Sequence, residues 1–467
     1  MRCKMNFFPR QLQDWLKRSP YQGYAYAYPH KSAYRPLSHP RPLREVWGDA
    51  RRDALFLYLH VPFCEMRCGF CNLFTTANPQ ADFAAQYLEA LQRQARRVRA
   101  HLEDARFANM AIGGGTPTFL DLKGLETLFD LAAGLFNIDL AATPISCETS
   151  PRTAVPEKLR LLRDRGVTRL SMGVQSFIEA ETRAVGRAQK PEWVQAALEA
   201  IRAVGFPTVN LDLIYGLPEQ TVETWLHSLR MALRYCPEEI YLYPLYHRPL
   251  TGLDRIGVQW HDIRPDCYRA GRDFLRSEGY EQVSLRMFRK RESTKEHEGA
   301  RRGTKLGSSL TYCCQEDGMV GLGCGARSYT RSLHYSSEYA VSRMGVRGIL
   351  ADYIEKPEEA FDVADYGFEL DADEQRRRYV LMSLLQAEGL DLMAYRRRFG
   401  SSALEDLPEL KELQAQDLAE LLTDPDASSP LPSRFRLNAA GLERSDTIGP
   451  WLASQRVQAL MQEYELR

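Results

Sequence analysis

Y-L-H-V-P-F-C-E-M-R-C-G-F-C-N-L-F, running from Tyr58 to Phe74, is the stretch on which the reading of this chain turns. Cys64, Cys68 and Cys71 stand in the spacing C-x-x-x-C-x-x-C, directly after an apolar run, Leu55 to Val61, that reads as a buried strand. Three thiolates this close can face one iron-sulfur cluster, and a four-iron cubane held by three leaves one iron open to a small molecule. The alternative is a zinc knuckle or a set of unrelated buried thiols. This spacing is less usual for zinc than paired C-x-x-C, and no fourth Cys or His follows at zinc-finger distance.

Outward from that stretch, short apolar runs alternate with amphipathic ones. Candidate strands are Leu55 to Val61, Phe107 to Ile112, Ile145 to Glu148, Arg169 to Val174, Val209 to Ile214 and Ile240 to Leu245. Between them lie the helical patterns Ala84 to His101, Leu122 to Phe136, Pro156 to Asp164, Pro191 to Val204 and Thr221 to Tyr235, several opened by Pro, Asp or Thr. Successive strand-helix units predict an α/β fold whose parallel sheet is closed or nearly closed into a barrel, the partial (β/α)6 relative of the eight-stranded one.

Barrels place chemistry at the C-terminal ends of their strands. The first strand is followed by the cysteines and the second by Gly113-Gly114-Gly115-Thr116-Pro117; the third ends in Glu148, the fourth runs into Gln175, the fifth carries Asp212 and Tyr215, and the sixth precedes Tyr246 and His247. A triple glycine lets backbone amides approach a ligand closely. Glu148, near the end of a buried strand, needs either a ligand's hydroxyls or a salt bridge to a neighbouring Arg. Tyr246 and His247 are candidate proton or hydrogen donors on the substrate side, although a His before Arg-Pro can equally be structural.

This wording resembles the radical S-adenosylmethionine (radical SAM) superfamily, and its surroundings are similar to the oxygen-independent coproporphyrinogen III oxidase branch, which also holds haem-chaperone-like proteins. The resemblance is strong over about Ala54 to Leu250 and weaker from Tyr280 to Tyr329, where V-G-L-G-C-G-A-R-S is similar to a second substrate-side segment. It implies a 4Fe-4S cluster on Cys64, Cys68 and Cys71, with SAM held by Gly114, Gly115, Thr116, Glu148, Gln175, Arg187 and Asp212. Tyr58 would lie near the sulfonium and Phe70 near the cluster. The implied activity is reductive cleavage of SAM to a 5'-deoxyadenosyl radical that acts on a small organic substrate, with a coproporphyrinogen-like tetrapyrrole as one candidate and flavodoxin or ferredoxin as electron donor. A haem chaperone, and a SAM-dependent methyltransferase or cyclase, stand as alternatives. Two departures matter: Leu73 occupies the place where the oxidases carry a further cysteine, and Arg286 to Lys305 is a basic insert that reads as a solvated loop.

The chain has 467 residues, balanced charge and ten cysteines, and no stretch long and uncharged enough to span a bilayer. These features predict a cytoplasmic protein with thiols, no membrane and no nucleic-acid partner. Cys3, Cys147, Cys236, Cys267, Cys313, Cys314 and Cys324 read as structural, with a second cluster on the last three as the weaker option. Four parts are expected: an arm over 1–50, a barrel over 51–250, a barrel-completing segment over 251–365 and a helical, winged-helix-like domain over 366–467. The arm, with Tyr21, Tyr24, Tyr26, Tyr28 and Tyr34 beside Lys31, Arg35 and Arg41, reads as something other than a folded core, either packed on the barrel surface or closing over a planar or carboxylated substrate. In the last part, helices are expected over Asp371 to Gln386, Leu390 to Phe399 and Leu407 to Leu422, with Arg376 to Arg378 as a solvated face and a Pro/Ser-rich break at Asp424 to Ser433.

Overall fold

The computed structural model describes residues 11–256, 262–291, 318–423 and 432–465. Cys3, Cys313, Cys314, most of the basic insert and most of the Pro/Ser-rich break lie outside them, so the second-cluster expectation has no geometry here.

Six parallel strands form the centre: β1 Leu55–Val61, β2 Phe107–Gly114, β3 Ile145–Thr149, β4 Val167–Gln175, β5 Thr208–Tyr215 and β6 Glu239–Pro244, neighbours in that order. Their connecting helices begin and end where local chemistry dictates. Asp121 accepts the Gly124 N–H at 2.7 Å to start Leu122–Phe136, which left-handed Asn137 ends. Pro opens Pro156–Asp164 and Pro191–Val204, and a capping box at Thr221 opens Val222–Leu233. Alternation along the strands divides the molecule. Cys147, Leu170, Met172 and Leu211 face the helices and are buried, while Ser146, Glu148, Ser171, Asn210, Asp212, Tyr241 and Tyr243 take the other face. The inner face is therefore polar and aromatic.

Beyond this core the sheet grows antiparallel edges to thirteen strands. Met287–Lys290 and Tyr280–Gln282 extend it past β6, and Met319–Leu322 pairs parallel with β1. From there it continues through Arg327–Tyr329, Leu333–Ser336 and Val363–Glu369 to Arg35–Pro42.

Four expectations need correction. From residue 11 the N-terminal segment is folded: Trp15, Tyr34 and Trp47 are fully buried, and the segment feeds both of the large hydrophobic cores. Its aromatic residues have enough apolar surface to hold it down despite its prolines. The expected helix Leu407 to Leu422 breaks after Ala415, because Asp417 turns left-handed and Ala419–Leu422 pairs with Arg434–Leu437 in a three-stranded sheet that includes Leu390–Asp391. Arg376 to Arg378 is not a solvated face. Arg378 is buried and donates to the Tyr28 carbonyl at 3.0 Å, while Arg377 pairs with Asp373 and Glu409. No helix among the described residues is long and apolar enough to cross a membrane.

Arg286, expected in a solvated loop, is instead buried against the C-terminal helix Ser445–Leu452. Its guanidinium pairs with Asp446 at 2.6 Å, both side chains being nearly inaccessible, and lies 3.7 Å from the Tyr24 ring centre. One ion pair thus ties the barrel edge, the N-terminal segment and the C-terminal domain. Asp446→Asn should cost about 3 kcal/mol, because it leaves a buried guanidinium without its counter-charge; urea unfolding reads the loss, and an unchanged midpoint would show that the pair is dispensable.

Candidate functional site

The three cysteines leave the end of β1 on a loop clamped at several points. Phe63–Cys64 pairs with Thr76–Ala77, Asn78 N–H donates to the Cys64 carbonyl at 2.9 Å, and Cys71 N–H donates to the Cys68 carbonyl at 3.1 Å. The tightest clamp is Gly69, whose N–H meets the Val185 carbonyl at 2.8 Å and whose carbonyl accepts the Leu253 N–H at 2.9 Å. A Cβ there would stand 2.6 Å from the Val185 oxygen, so this position requires glycine. Phe70 packs beside it against Val185, Ile214 and Leu253.

Three polar groups reach the sulfurs, one of them Thr75 Oγ1 at 4.0 Å from Cys71 Sγ. Thr116 Oγ1 lies 3.6 Å from Cys64 Sγ and Arg187 Nη1 lies 3.3 Å from Cys68 Sγ. Arg187 is buried, and its other nitrogens donate to Gln189 and to the Gly173 carbonyl. Burial pushes the Cys64 thiol up to about 12 and raises Cys71 as well. Thiols in that state ionise only against a strong neighbouring positive charge, such as that of bound metal.

Beside the loop, the glycine strip is packed too tightly for any side chain. A Cβ on Gly115 would stand 2.5 Å from the Phe63 oxygen, and Gly114, at φ +118°, would meet the His60 ring at 2.6 Å. His60 escaped the sequence reading. Tyr58 Oη and His60 Nδ1 are 3.1 Å apart, and burial lowers His60 to about 4, so its ring is a neutral prop under the strip. The signal available was its place at the end of a strand facing glycines.

Glu148 lines the inner hollow and accepts the Gly114 N–H at 3.0 Å. Asp212 accepts from Asn210 at 2.8 Å and from Ser171 at 3.5 Å. The Glu148 side chain is open to the hollow itself, yet protein surrounds that hollow; desolvation holds Glu148 at about 7 and Asp212 at about 6. Among the described residues neither forms an ion pair. The salt-bridge alternative for Glu148 fails because Arg169 is engaged by Glu239 at 2.8 Å. Gln175 follows at the end of β4 in a left-handed conformation, φ +70°, where the pairing of β4 with β5 slips by a residue. Two enclosed carboxylates without a counter-ion, a glycine edge and three thiols stand at one end of one sheet.

Residues 58–232 match the radical SAM superfamily. These residues form a radical SAM domain. Its cofactors are a 4Fe-4S cluster and SAM, and the geometry fits them: three clamped thiols need a positive partner, and the two carboxylates can accept hydroxyl or ammonium donors. The chain is 29% identical over 377 residues to the oxygen-independent coproporphyrinogen III oxidase of Salmonella typhimurium, covering 79% of this chain and 80% of that protein. It is 27% identical to the haem chaperone HemW of Bacillus subtilis over 78% of this chain and 94% of that protein. The solved coproporphyrinogen III oxidase of Escherichia coli shares the fold, with a TM-score of 0.74, 24% identity and coverage of 92% of this chain and 97% of that one.

Tyr246 and His247 are not placed alike. The Tyr246 hydroxyl is engaged by both Asp446 and Arg286, an arrangement that supports anchoring in place of the expected donor role. His247 lies half-exposed, 3.8 Å from Asp254. Cys324 is buried, its thiol near Ser337 and the Ile349 carbonyl, as a structural cysteine is.

The carboxylates give a pH test. Their folded pKa values lie above the ordinary 4.5 and 3.8, so the folded protein holds more protons than the unfolded chain between about pH 4 and pH 7. Without cofactors, stability should fall as pH rises through that window, and Glu148→Gln with Asp212→Asn should flatten the slope. Denaturant midpoints across pH 4 to 8 measure it, and equal slopes in both proteins would refute the assignment.

Proposed function

We propose that this protein is a radical SAM enzyme acting on a polycarboxylated tetrapyrrole of the coproporphyrinogen kind, by oxidative decarboxylation. When bound, the reduced cluster and SAM supply a 5'-deoxyadenosyl radical. What this chain adds is position: Cys64, Cys68 and Cys71 hold the cluster; the Gly114–Thr116 edge with Glu148, Gln175, Arg187 and Asp212 holds SAM, with Tyr58 beside it.

The observation carrying this reading is a cluster of basic and aromatic side chains near the cysteines. Lys31, on a short turn capped by His30, lies 3.5 Å from the Tyr339 ring centre. Burial pushes it well below the usual lysine range, Arg327 and Arg248 push further, and Cys71 pulls back, so all four groups share one region. Among the described residues neither Lys31 nor Arg248 forms an ion pair. Tyr24, Tyr26, Tyr243 and His30 supply rings, with Tyr24 and Tyr26 5.1 Å apart and Tyr26 and His30 5.7 Å apart. Enclosed cations without carboxylates suit a substrate that brings its own, and rings suit its pyrroles. His247 is placed by sequence near these groups and is the remaining candidate for proton transfer there.

The haem-chaperone reading has one specific observation behind it, Leu73 in place of a cysteine, exposed on the cluster loop. The two separate in one assay. Anaerobically reconstituted protein with SAM and dithionite should release 5'-deoxyadenosine faster when coproporphyrinogen III is added, and Lys31→Ala should raise KM roughly tenfold with cluster content unchanged. Haem binding without porphyrinogen-dependent release would establish the chaperone instead.

A further inference from the structure

The cysteine loop and the segment bound to it carry exposed apolar side chains that the site above does not use. Leu73 is 50% exposed and Met344 is 86% exposed, large apolar side chains left in water on adjoining segments. The segments are bound together: the Tyr339 hydroxyl donates to the Asn72 carbonyl at 2.7 Å, and the Arg67 guanidinium donates to the Val341 carbonyl. Ser342 then caps the helix Arg343–Glu355, accepting the Gly345 N–H at 3.1 Å. That helix packs on Thr76–Ala77, the strand paired with Phe63–Cys64.

Along the two segments themselves the charge is mostly positive. Arg343 and Arg347 are both exposed, and the first turn of the helix has no acidic residue. Glu338 is the one carboxylate from Ser336 to Ala351, and Met66 to Ala81 contains none. Met and Arg are the residue types enriched at interfaces, and exposed apolar groups ringed by one sign of charge select an oppositely charged partner. Leu73 stands two residues from Cys71, and Tyr339 separates this surface from Lys31.

We propose that Leu73, Met344, Arg343 and Arg347 form the docking surface for an acidic one-electron carrier protein. This rests on the radical SAM reading of the cysteines. Each productive encounter moves one electron: the carrier's cofactor is oxidised by one, the cluster is reduced by one, and no proton has to be placed. The position explains why the apolar patch lies on the cluster loop and on the helix packed behind it, since electron transfer needs the shortest path to a ligand thiolate.

The test uses full-length reconstituted protein and a purified acidic flavodoxin as probe. Wild-type protein should bind it with an affinity that falls as salt rises, and Met344→Glu, or Arg343→Glu with Arg347→Glu, should weaken binding roughly tenfold or more. Cluster absorbance and dithionite-driven SAM cleavage should stay unchanged in both variants, because a small chemical reductant needs no docking surface. Absent flavodoxin binding by the wild type, or equal binding by variants and wild type, overturns the proposal. So does a variant that loses dithionite-driven cleavage in step with flavodoxin-driven cleavage, since its defect is then structural. Failure of dithionite-driven cleavage in the wild type would mark a failure of the radical SAM reading itself.

Discussion

Three thiols can converge on one point only if the loop carrying them is held from outside, and Gly69 is where this chain holds it. Pinned between Val185 and Leu253, it leaves no room for a Cβ and ties the loop to the segments after β4 and β6. The same logic repeats along the strip Gly113–Gly115, where absent side chains admit Glu148, His60 and Phe63 at contact distance. Close backbone approach, more than any one catalytic side chain, sets the site's shape.

A parallel sheet makes this economical. Its polar inner face collects Glu148, Ser171, Asn210 and Asp212 at neighbouring registers, while the outer face supplies the apolar packing that keeps the strands in place. Removing carboxylates from water is unfavourable, and it is tolerated here because the hollow is built to receive donors. The Arg286–Asp446 pair works at larger scale: it seats helix Ser445–Leu452 and Tyr24 at the barrel edge.

Much of this was legible in sequence because the decisive signals are local. The motif Cys64 to Cys71, six apolar runs and the residues that follow each run require no knowledge of distant pairing, and the boundaries of Leu122–Phe136, Pro156–Asp164 and Pro191–Val204 follow from Asp, Pro and Gly at their ends. What escaped was non-local. Arg286 looks solvated until Asp446, far along the chain, is folded against it; Arg378 looks like one of three surface arginines until Tyr28 arrives. The N-terminal segment, rich in Pro and Tyr, gives no periodic signal, yet its rings complete two cores. The sequence offers Lys31 as one basic group of an arm that could meet a carboxylated substrate; its burial and its place over the Tyr339 ring come from distant parts of the chain.

Cys64, Cys68 and Cys71 are proposed to hold a four-iron cluster beside the Glu148 and Asp212 hollow. Electron paramagnetic resonance of the dithionite-reduced, reconstituted protein, recorded with and without SAM, tests it directly. The account predicts a reduced-cluster signal that changes shape and position when SAM is added and is lost in Cys68→Ala. A signal indifferent to SAM, or one that survives loss of Cys68, would contradict it.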